Sequence, residues 1–158
     1  MSASWIWWAP FVAASLHIVE EFFFPGGFPE WDRAYRSHLA KSITKRLHIV
    51  INALLILLTL SIAMSTHTEG SVAAWLTLAS LLFGNAIFHL VGTVKTKRYS
   101  PGVVTGLLLY VPMAIFGSAY FLRTRQASKG TALVALLLGA SYQLWATMAH
   151  KARARQAV

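Results

Sequence analysis

The chain has 158 residues, of which 56% are hydrophobic and only 12% are charged, and its mean hydropathy is +0.56. A soluble domain carries about 25% charged residues, so the composition excludes an ordinary soluble protein and indicates one polytopic membrane domain, 1–158. The net charge of +9 does not indicate nucleic-acid binding, because the basic residues form short clusters between apolar runs and no groove-reading motif accompanies them.

The first predicted helix, 5–24, is long enough to cross about 30 Å of hydrocarbon, yet it contains His17, Glu20 and Glu21. Residues at positions i, i+3 and i+4 lie within about 100° of arc on a helix, so these three side chains project from one face. An ionisable group at membrane depth costs roughly 3 kcal/mol on insertion scales and is normally functional. The three residues are therefore predicted to form a site.

Four further apolar runs predict four more helices, at 47–66, 71–94, 102–122 and 131–150. The segment Phe24-Pro25-Gly26-Gly27-Phe28-Pro29 ends the first helix, since proline cannot continue it and paired glycines favour a turn. Pro112 marks a candidate kink in the fourth helix. The predicted fold is an all-α transmembrane bundle of about five helices.

The Lys and Arg residues predict the orientation of this bundle. Eleven of them lie in the first loop (between the first and second predicted helices), in the third loop (between the third and fourth) and in the tail after the fifth. Three lie between the fourth and fifth helices, on the opposite side of the membrane. Because positive charge accumulates on the cytoplasmic side, we expect the N-terminus outside and the C-terminus inside a plasma membrane of the bacterial type.

Polar residues from several helices are predicted to share one depth. With a rise of about 1.5 Å per residue, they fall roughly 5 to 14 Å inside the cytoplasmic edge. Besides 17–21, this layer contains Asn52, Asn85, His89, Thr105 and Gln143. An isolated Asn or His in a membrane helix often only bridges helices, through hydrogen bonds worth about 1 kcal/mol. His48 and His150 lie closer to the membrane edge and are predicted to be interfacial or solvated.

The chain contains the motif His17-Ile18-Val19-Glu20-Glu21, followed by Phe24-Pro25-Gly26-Gly27-Phe28 and by Asn52, Asn85, His89 and Arg98-Tyr99-Ser100-Pro101-Gly102 before Thr105. This pattern resembles the HXXEE-motif family of small membrane proteins. The resemblance covers the first four helices in order. It implies that these polar residues are characteristic positions of the family, so Arg98 and Tyr99 join Glu20 as catalytic candidates. It supplies little chemistry, because the function of that family is largely unknown.

The leading hypothesis is a metal-dependent enzyme acting on a lipophilic substrate that enters from the bilayer, by hydrolysis or oxidation. The chain has no cysteine, so a metal would be bound by His, Glu, Asp or Asn. His17, Glu21 and His89 would give a His2Glu ligand set with an open position, suited to Zn or Fe. Glu20 would then act as the general base, with Asn52, Asn85 and Thr105 as a supporting polar layer.

Two alternatives from other classes remain open. A buried Glu can remain protonated near neutrality and act in a metal-free isomerase or cyclase. Alternatively, His17, Glu20 and Glu21 would relay protons in a small transporter, although the polar groups stop at one depth. In each case the expected partners are membrane lipids and a small lipophilic molecule; the oligomeric state is left open.

Overall fold

The computed structural model describes residues 4–156, and within that range the chain folds into helices and turns without a strand. The helices are α1 (Trp5–Phe22), α2 (Phe28–Tyr35), α3 (Lys45–Ala63), α4 (Glu69–Thr96), α5 (Val103–Thr105), α6 (Val111–Arg123) and α7 (Lys129–Gln156). A π-helical segment, Gly106–Tyr110, joins α5 to α6, and a 3₁₀ helix, Ser37–Ser42, precedes α3. The predicted all-α bundle is confirmed.

Four segments are long and apolar enough to cross a membrane: Lys45–Ala63, Glu69–Thr96, Val103–Arg123 and Lys129–Arg153. The protein is therefore a membrane protein. The first predicted span, α1, is not among these four; it is 18 residues long and carries His17, Glu20 and Glu21. It packs within the bundle against α3 and α4, and its inward face is buried.

The core of the bundle forms around α4, which packs along α7 and against α6. Trp75 of α4 is fully buried, and its indole Nε1 donates a hydrogen bond of 2.9 Å to the carbonyl oxygen of Ile6. Its ring also contacts Phe121, with 5.1 Å between the ring centroids. These contacts attach both α1 and α6 to the central helix.

Pro112, the candidate kink position, lies in the first turn of α6, directly after the π-helical segment. Proline has no N–H and its ring displaces the carbonyl four residues earlier, so the regular hydrogen-bond pattern is interrupted at this point. The wider turn places Tyr110 in the interior, where it is fully buried.

The segment between α1 and α3, treated as a loop in the sequence analysis, contains α2 and the 3₁₀ helix; that prediction was wrong. Asp32 of α2 is fully buried, accepts hydrogen bonds from the guanidinium of Arg36 and lies 3.4 Å from Nε2 of His48. Burial raises the pKa of the Asp32 carboxyl, but the contacts with His48 and Arg36 outweigh burial and lower the pKa below its usual value. This network holds α2 against the first turn of α3.

Candidate metal centre

The structure brings together His17 and Glu21 of α1 and His89 of α4, the three predicted metal ligands. One potential ligand atom from each lies within 4.8 Å of the other two, and all three residues are buried. Nε2 of His17 lies 3.4 Å from Oε1 of Glu21, and Nε2 of His89 lies 3.3 Å from the same oxygen. His17 and Glu21 meet because they are one helical turn apart.

The hydrogen bond at Nδ1 of His17 has a definite direction. Its Nδ1 lies 2.9 Å from the hydroxyl oxygen of Thr105, and that hydroxyl donates to Oε2 of Glu20. A hydroxyl has one proton and an ionised carboxylate only accepts, so the Thr105 oxygen must accept from Nδ1–H. Nδ1 of His17 is thus held by Thr105, and its other ring nitrogen, Nε2, is directed at Glu21.

The other two residues are oriented in the same way, each through an atom remote from the centre. Nδ1 of His89 lies 2.9 Å from the hydroxyl oxygen of Ser100, and Nδ2 of Asn52 donates to Oε2 of Glu21 at 3.1 Å. Metal-binding side chains characteristically have such outer partners, which fix the ring orientation and the tautomer. Asn52 and Thr105, two of the three predicted supporting residues, occupy these positions.

Gly102 lies against both imidazoles. Its φ of +104° is in the region that favours glycine, and a Cβ at this position would lie 2.7 Å from Cε1 of His89 and 2.8 Å from Cε1 of His17. Only a residue without a side chain allows the backbone to approach the two rings so closely. Tyr110 contacts His17 from another direction, with 4.6 Å between the ring centroids.

Glu20, the predicted general base, has a different environment from that of Glu21. Its Oε1 accepts hydrogen bonds from the Tyr99 hydroxyl and from the backbone N–H groups of Gly102 and Val104. Its Oε2 accepts from the backbone N–H and the hydroxyl of Thr105. The carboxylate therefore satisfies the free N–H groups at the start of α5, as a capping residue does.

The remaining catalytic candidates lie just before α5. The Tyr99 side chain is 45% exposed, and its hydroxyl donates to Glu20. Partial burial and this hydrogen bond raise the pKa of the Tyr99 hydroxyl, so it remains a proton donor. The Arg98 side chain is exposed, and the hydrogen bonds of this residue within 4–156 involve its backbone and Thr96.

A cavity of about 510 Å³ opens beside the His/Glu cluster, and His17 and Glu21 form part of its wall. Its other walls come mainly from α3, α4 and α7 and are largely apolar. Asn85, the third predicted supporting residue, lines the cavity, and its Oδ1 is buried without a hydrogen-bond partner among residues 4–156. The Tyr110 hydroxyl, also in the wall, has no partner in that range either.

Gln143, His48 and His150 also line the cavity. The two histidines, predicted to be interfacial or solvated, are buried, so the solvated alternative was wrong. His48 contacts Asp32, and Nδ1 of His150 lies 2.8 Å from the hydroxyl oxygen of Ser42. The folded segment between α1 and α3 covers these residues.

Three residues of this region were not identified as site residues from the sequence. Ser100 and Gly102 belong to the segment before α5 that the resemblance singled out, and the serine hydroxyl next to a Pro–Gly turn was a usable signal. Tyr110 gave no such signal, because an aromatic residue within an apolar run is most often an ordinary core residue.

Comparison with known proteins assigns a family. The family described as "Protein of unknown function with HXXEE motif" matches residues 8–117, and the chain belongs to this family. The uncharacterized protein YrkK of Bacillus subtilis (strain 168) is 32% identical over 105 residues, which make up 64% of this chain and 65% of that protein. The match thus spans less than two thirds of that relative's length. No solved structure matches the chain.

Proposed function

We propose that this member of the HXXEE family is an integral membrane enzyme that uses a divalent metal, Zn or Fe, bound by His17, Glu21 and His89. One observation carries the proposal: the buried Nε2 atoms of both histidines lack a hydrogen-bond partner among the described residues, and both face Oε1 of Glu21. Two imidazole nitrogens directed at one carboxylate oxygen in a buried site form a donor set for a cation, which would satisfy all three atoms.

The separations are compatible with a metal bound by Glu21 and both histidines. Zinc binds imidazole nitrogen and carboxylate oxygen at about 2.0–2.2 Å, so two such ligands at a tetrahedral angle lie about 3.4 Å apart. The separations from Oε1 of Glu21 are 3.4 Å to His17 and 3.3 Å to His89. An ion pair between a protonated imidazole and Glu21 spans the same range, up to about 4 Å between nitrogen and oxygen, so metal analysis distinguishes the two.

Three protein ligands leave a metal with an open position, which is the arrangement of catalytic sites. A bound metal would supply a Lewis acid and an activated water for hydrolysis or, as iron, support for oxidation. The adjacent apolar cavity would admit a lipophilic substrate from the bilayer, and the unpaired polar atoms of Asn85 and Tyr110 are available to contact it.

Within this proposal Glu20 is a positioning residue. Its carboxylate accepts a hydrogen bond from the Thr105 hydroxyl, and the oxygen of that hydroxyl in turn accepts a hydrogen bond from Nδ1–H of His17. Tyr99 acts through Glu20 in the same way, and the proposed chemistry does not need the exposed side chain of Arg98. We also retain the orientation inferred from charge, N-terminus outside and C-terminus inside, which puts the metal near the cytoplasmic face.

Metal analysis of protein purified in detergent tests the binding site. We expect about one equivalent of Zn or Fe in wild type and none in His17→Ala or His89→Ala. His38→Ala is the matched control, because His38 is an exposed histidine of the 3₁₀ helix and lies outside the cluster. Wild type that neither carries metal nor binds added Zn²⁺ or Fe²⁺ would overturn the proposal and favour the metal-free isomerase or cyclase.

Catalysis needs a separate measurement. Metal-loaded protein is incubated with a total membrane lipid extract, and the lipids are compared by mass spectrometry. Wild type is expected to convert a lipid species that His17→Ala leaves unchanged. If both proteins leave every lipid unchanged while wild type retains its metal, the site binds a metal without turning over membrane lipids, and the enzyme proposal fails for that substrate class.

A further inference from the structure

The cavity beside the His/Glu cluster lies between α3 and α7, which do not pack closely against each other, since α3 packs mainly on α1 and α7 on α4. Leu54, Leu55 and Leu58 line it from α3, and Trp145 and Ala146 line it from α7. Leu54 and Trp145 are also largely exposed on the surface of the bundle, at 60% and 64%. The cavity is therefore continuous with the lipid-facing surface.

Cationic side chains are confined to one end of this cavity. Arg36 and Arg153 line it there, close to His48 and His150, whereas the other end is apolar. The Asp32 carboxylate balances the charge of Arg36. No carboxylate lies within ion-pair distance of Arg153 among the described residues 4–156. Arg153, an exposed residue near the end of α7, thus contributes a positive charge without a carboxylate partner among the described residues, next to an apolar chamber.

The volume restricts the size of an occupant. At about 30 Å³ for a group the size of a water molecule or a methylene, the cavity of 510 Å³ holds roughly 17 non-hydrogen groups. This is sufficient for one acyl chain with a small head group, whereas the second chain of a phospholipid would have to lie outside the cavity in the bilayer. An uncompensated cation beside an apolar chamber matches a molecule with an anionic head and an apolar tail.

We propose that the cleft between α3 and α7 binds a single-chain amphiphile with an anionic head group, with the head group at Arg153 and the chain against the leucines of α3. The inference rests on the proposed function in one respect: this amphiphile is the substrate class of the metal centre. Asn52, which bonds to Glu21, lies one helical turn beyond His48 of the cationic end. The metal centre would therefore face the part of the amphiphile's chain that directly follows its head group.

The binding test uses wild-type protein in a non-ionic detergent and a myristate that carries a photoactivated diazirine on its chain. After irradiation, the labelled peptides are mapped by mass spectrometry. We expect labelling of the cavity-facing residues of α3 and α7, and competition by unlabelled myristate that is about tenfold stronger than competition by tetradecanol or tetradecylamine. The metal content of the same preparation is measured separately.

Two pairs of variants locate the head group and the chain. Arg153→Gln is expected to weaken myristate competition about fivefold, while Arg155→Gln, which removes the same charge two residues farther along α7, leaves it unchanged. Ala146→Trp fills the cavity and is expected to abolish specific labelling. Leu144→Trp is its control, because Leu144 is exposed on α7 and outside the cavity.

The outcomes separate this inference from the metal proposal. Specific labelling of the cleft in metal-free protein would support the amphiphile site and refute the metal-dependent function. Equal competition by the three amphiphiles, or labelling spread over exposed residues such as Leu108 and Phe116, would overturn the amphiphile inference whatever the metal content. Crosslinks between two copies through the cleft, with no labelling of it, would show that a second copy occupies it and would also overturn the inference.

Discussion

Replacing Glu20 by Gln distinguishes two roles of this residue. The sequence predicts a general base, whereas the geometry favours a carboxylate that caps the start of α5. If Glu20 is the general base, its replacement by the isosteric amide would leave the stability and the metal content of the protein unchanged and lower turnover about a hundredfold or more. A capping carboxylate predicts a loss of stability instead. The carboxylate accepts five hydrogen bonds, three on Oε1 and two on Oε2, and the amide nitrogen of Gln accepts none.

The size of the effect follows from the donors left without an acceptor. In the less costly orientation, the amide nitrogen replaces Oε2 and faces the backbone N–H of Thr105, while the Thr105 hydroxyl must turn away. A hydrogen bond to a charged group contributes about 1.5–3 kcal/mol, so we expect a loss of roughly 3 kcal/mol or more. In a chain of this length, at about 2–4 °C per kcal/mol, that lowers the unfolding midpoint by roughly 6 to 12 °C.

Thermal unfolding in detergent, followed by tryptophan fluorescence, measures this change, and metal analysis accompanies it. Glu30→Gln is the control, because Glu30 is exposed in the first turn of α2 and loses only a solvent-exposed interaction with the helix N-terminus of about 0.3–1 kcal/mol, which lowers the midpoint by at most about 4 °C. If Glu20→Gln has the same unfolding midpoint as wild type, retains its metal and loses only turnover, the capping role is refuted and Glu20 is the general base.

Three further predictions use other parts of the molecule. Gly102→Ala is expected to displace both imidazoles and lose the metal, whereas Gly27→Ala, at a φ of +84° with no atom within 4 Å of the added Cβ, should show only the backbone strain and retain it. The lowered pKa of Asp32 means that its stabilising contribution is present above the ordinary value of about 4 and is lost as the pH falls through the lowered value. Wild type should therefore lose thermal stability on acidification, while Asp32→Asn, already less stable at pH 7, shows a flatter dependence over the same range; parallel curves would contradict this. In the cysteine-free chain, an impermeant maleimide applied to intact cells should label Thr66→Cys and not His38→Cys, and the reverse pattern would invert the orientation.

The helices and the clustering of His17, Glu21 and His89 were accessible from the sequence for a simple reason. Apolar runs define the helices, and a constant rise per residue converts position into depth, so polar groups at one depth are expected to meet. Helical spacing does not reveal which neighbouring element each side chain reaches. The structure gives Glu20 and Glu21 different direct partners, the start of α5 for Glu20 and Asn52 with the two histidines for Glu21, although spacing alone assigned them to one face.

The fold between α1 and α3 could not be read from periodicity, because it depends on contacts between distant residues. The charge of Asp32 is buried only because Arg36 and His48 surround it, and His48 comes from α3. Composition suggested an exposed basic loop there. The same limit applies to Tyr110, whose place against His17 depends on the π-helical segment.

The spacing of the motif explains why its two glutamates are not interchangeable. Successive residues leave a helix about 100° apart, so Glu21 is directed at His89 of α4 while Glu20 is directed at the start of α5. Thr105 links the two sides of the helix. Its backbone N–H and hydroxyl donate hydrogen bonds to Glu20, and its hydroxyl oxygen accepts a hydrogen bond from Nδ1–H of His17. The orientation of His17 and the anchoring of α5 thus depend on the same hydroxyl, and shifting Glu20 by one position would disrupt both.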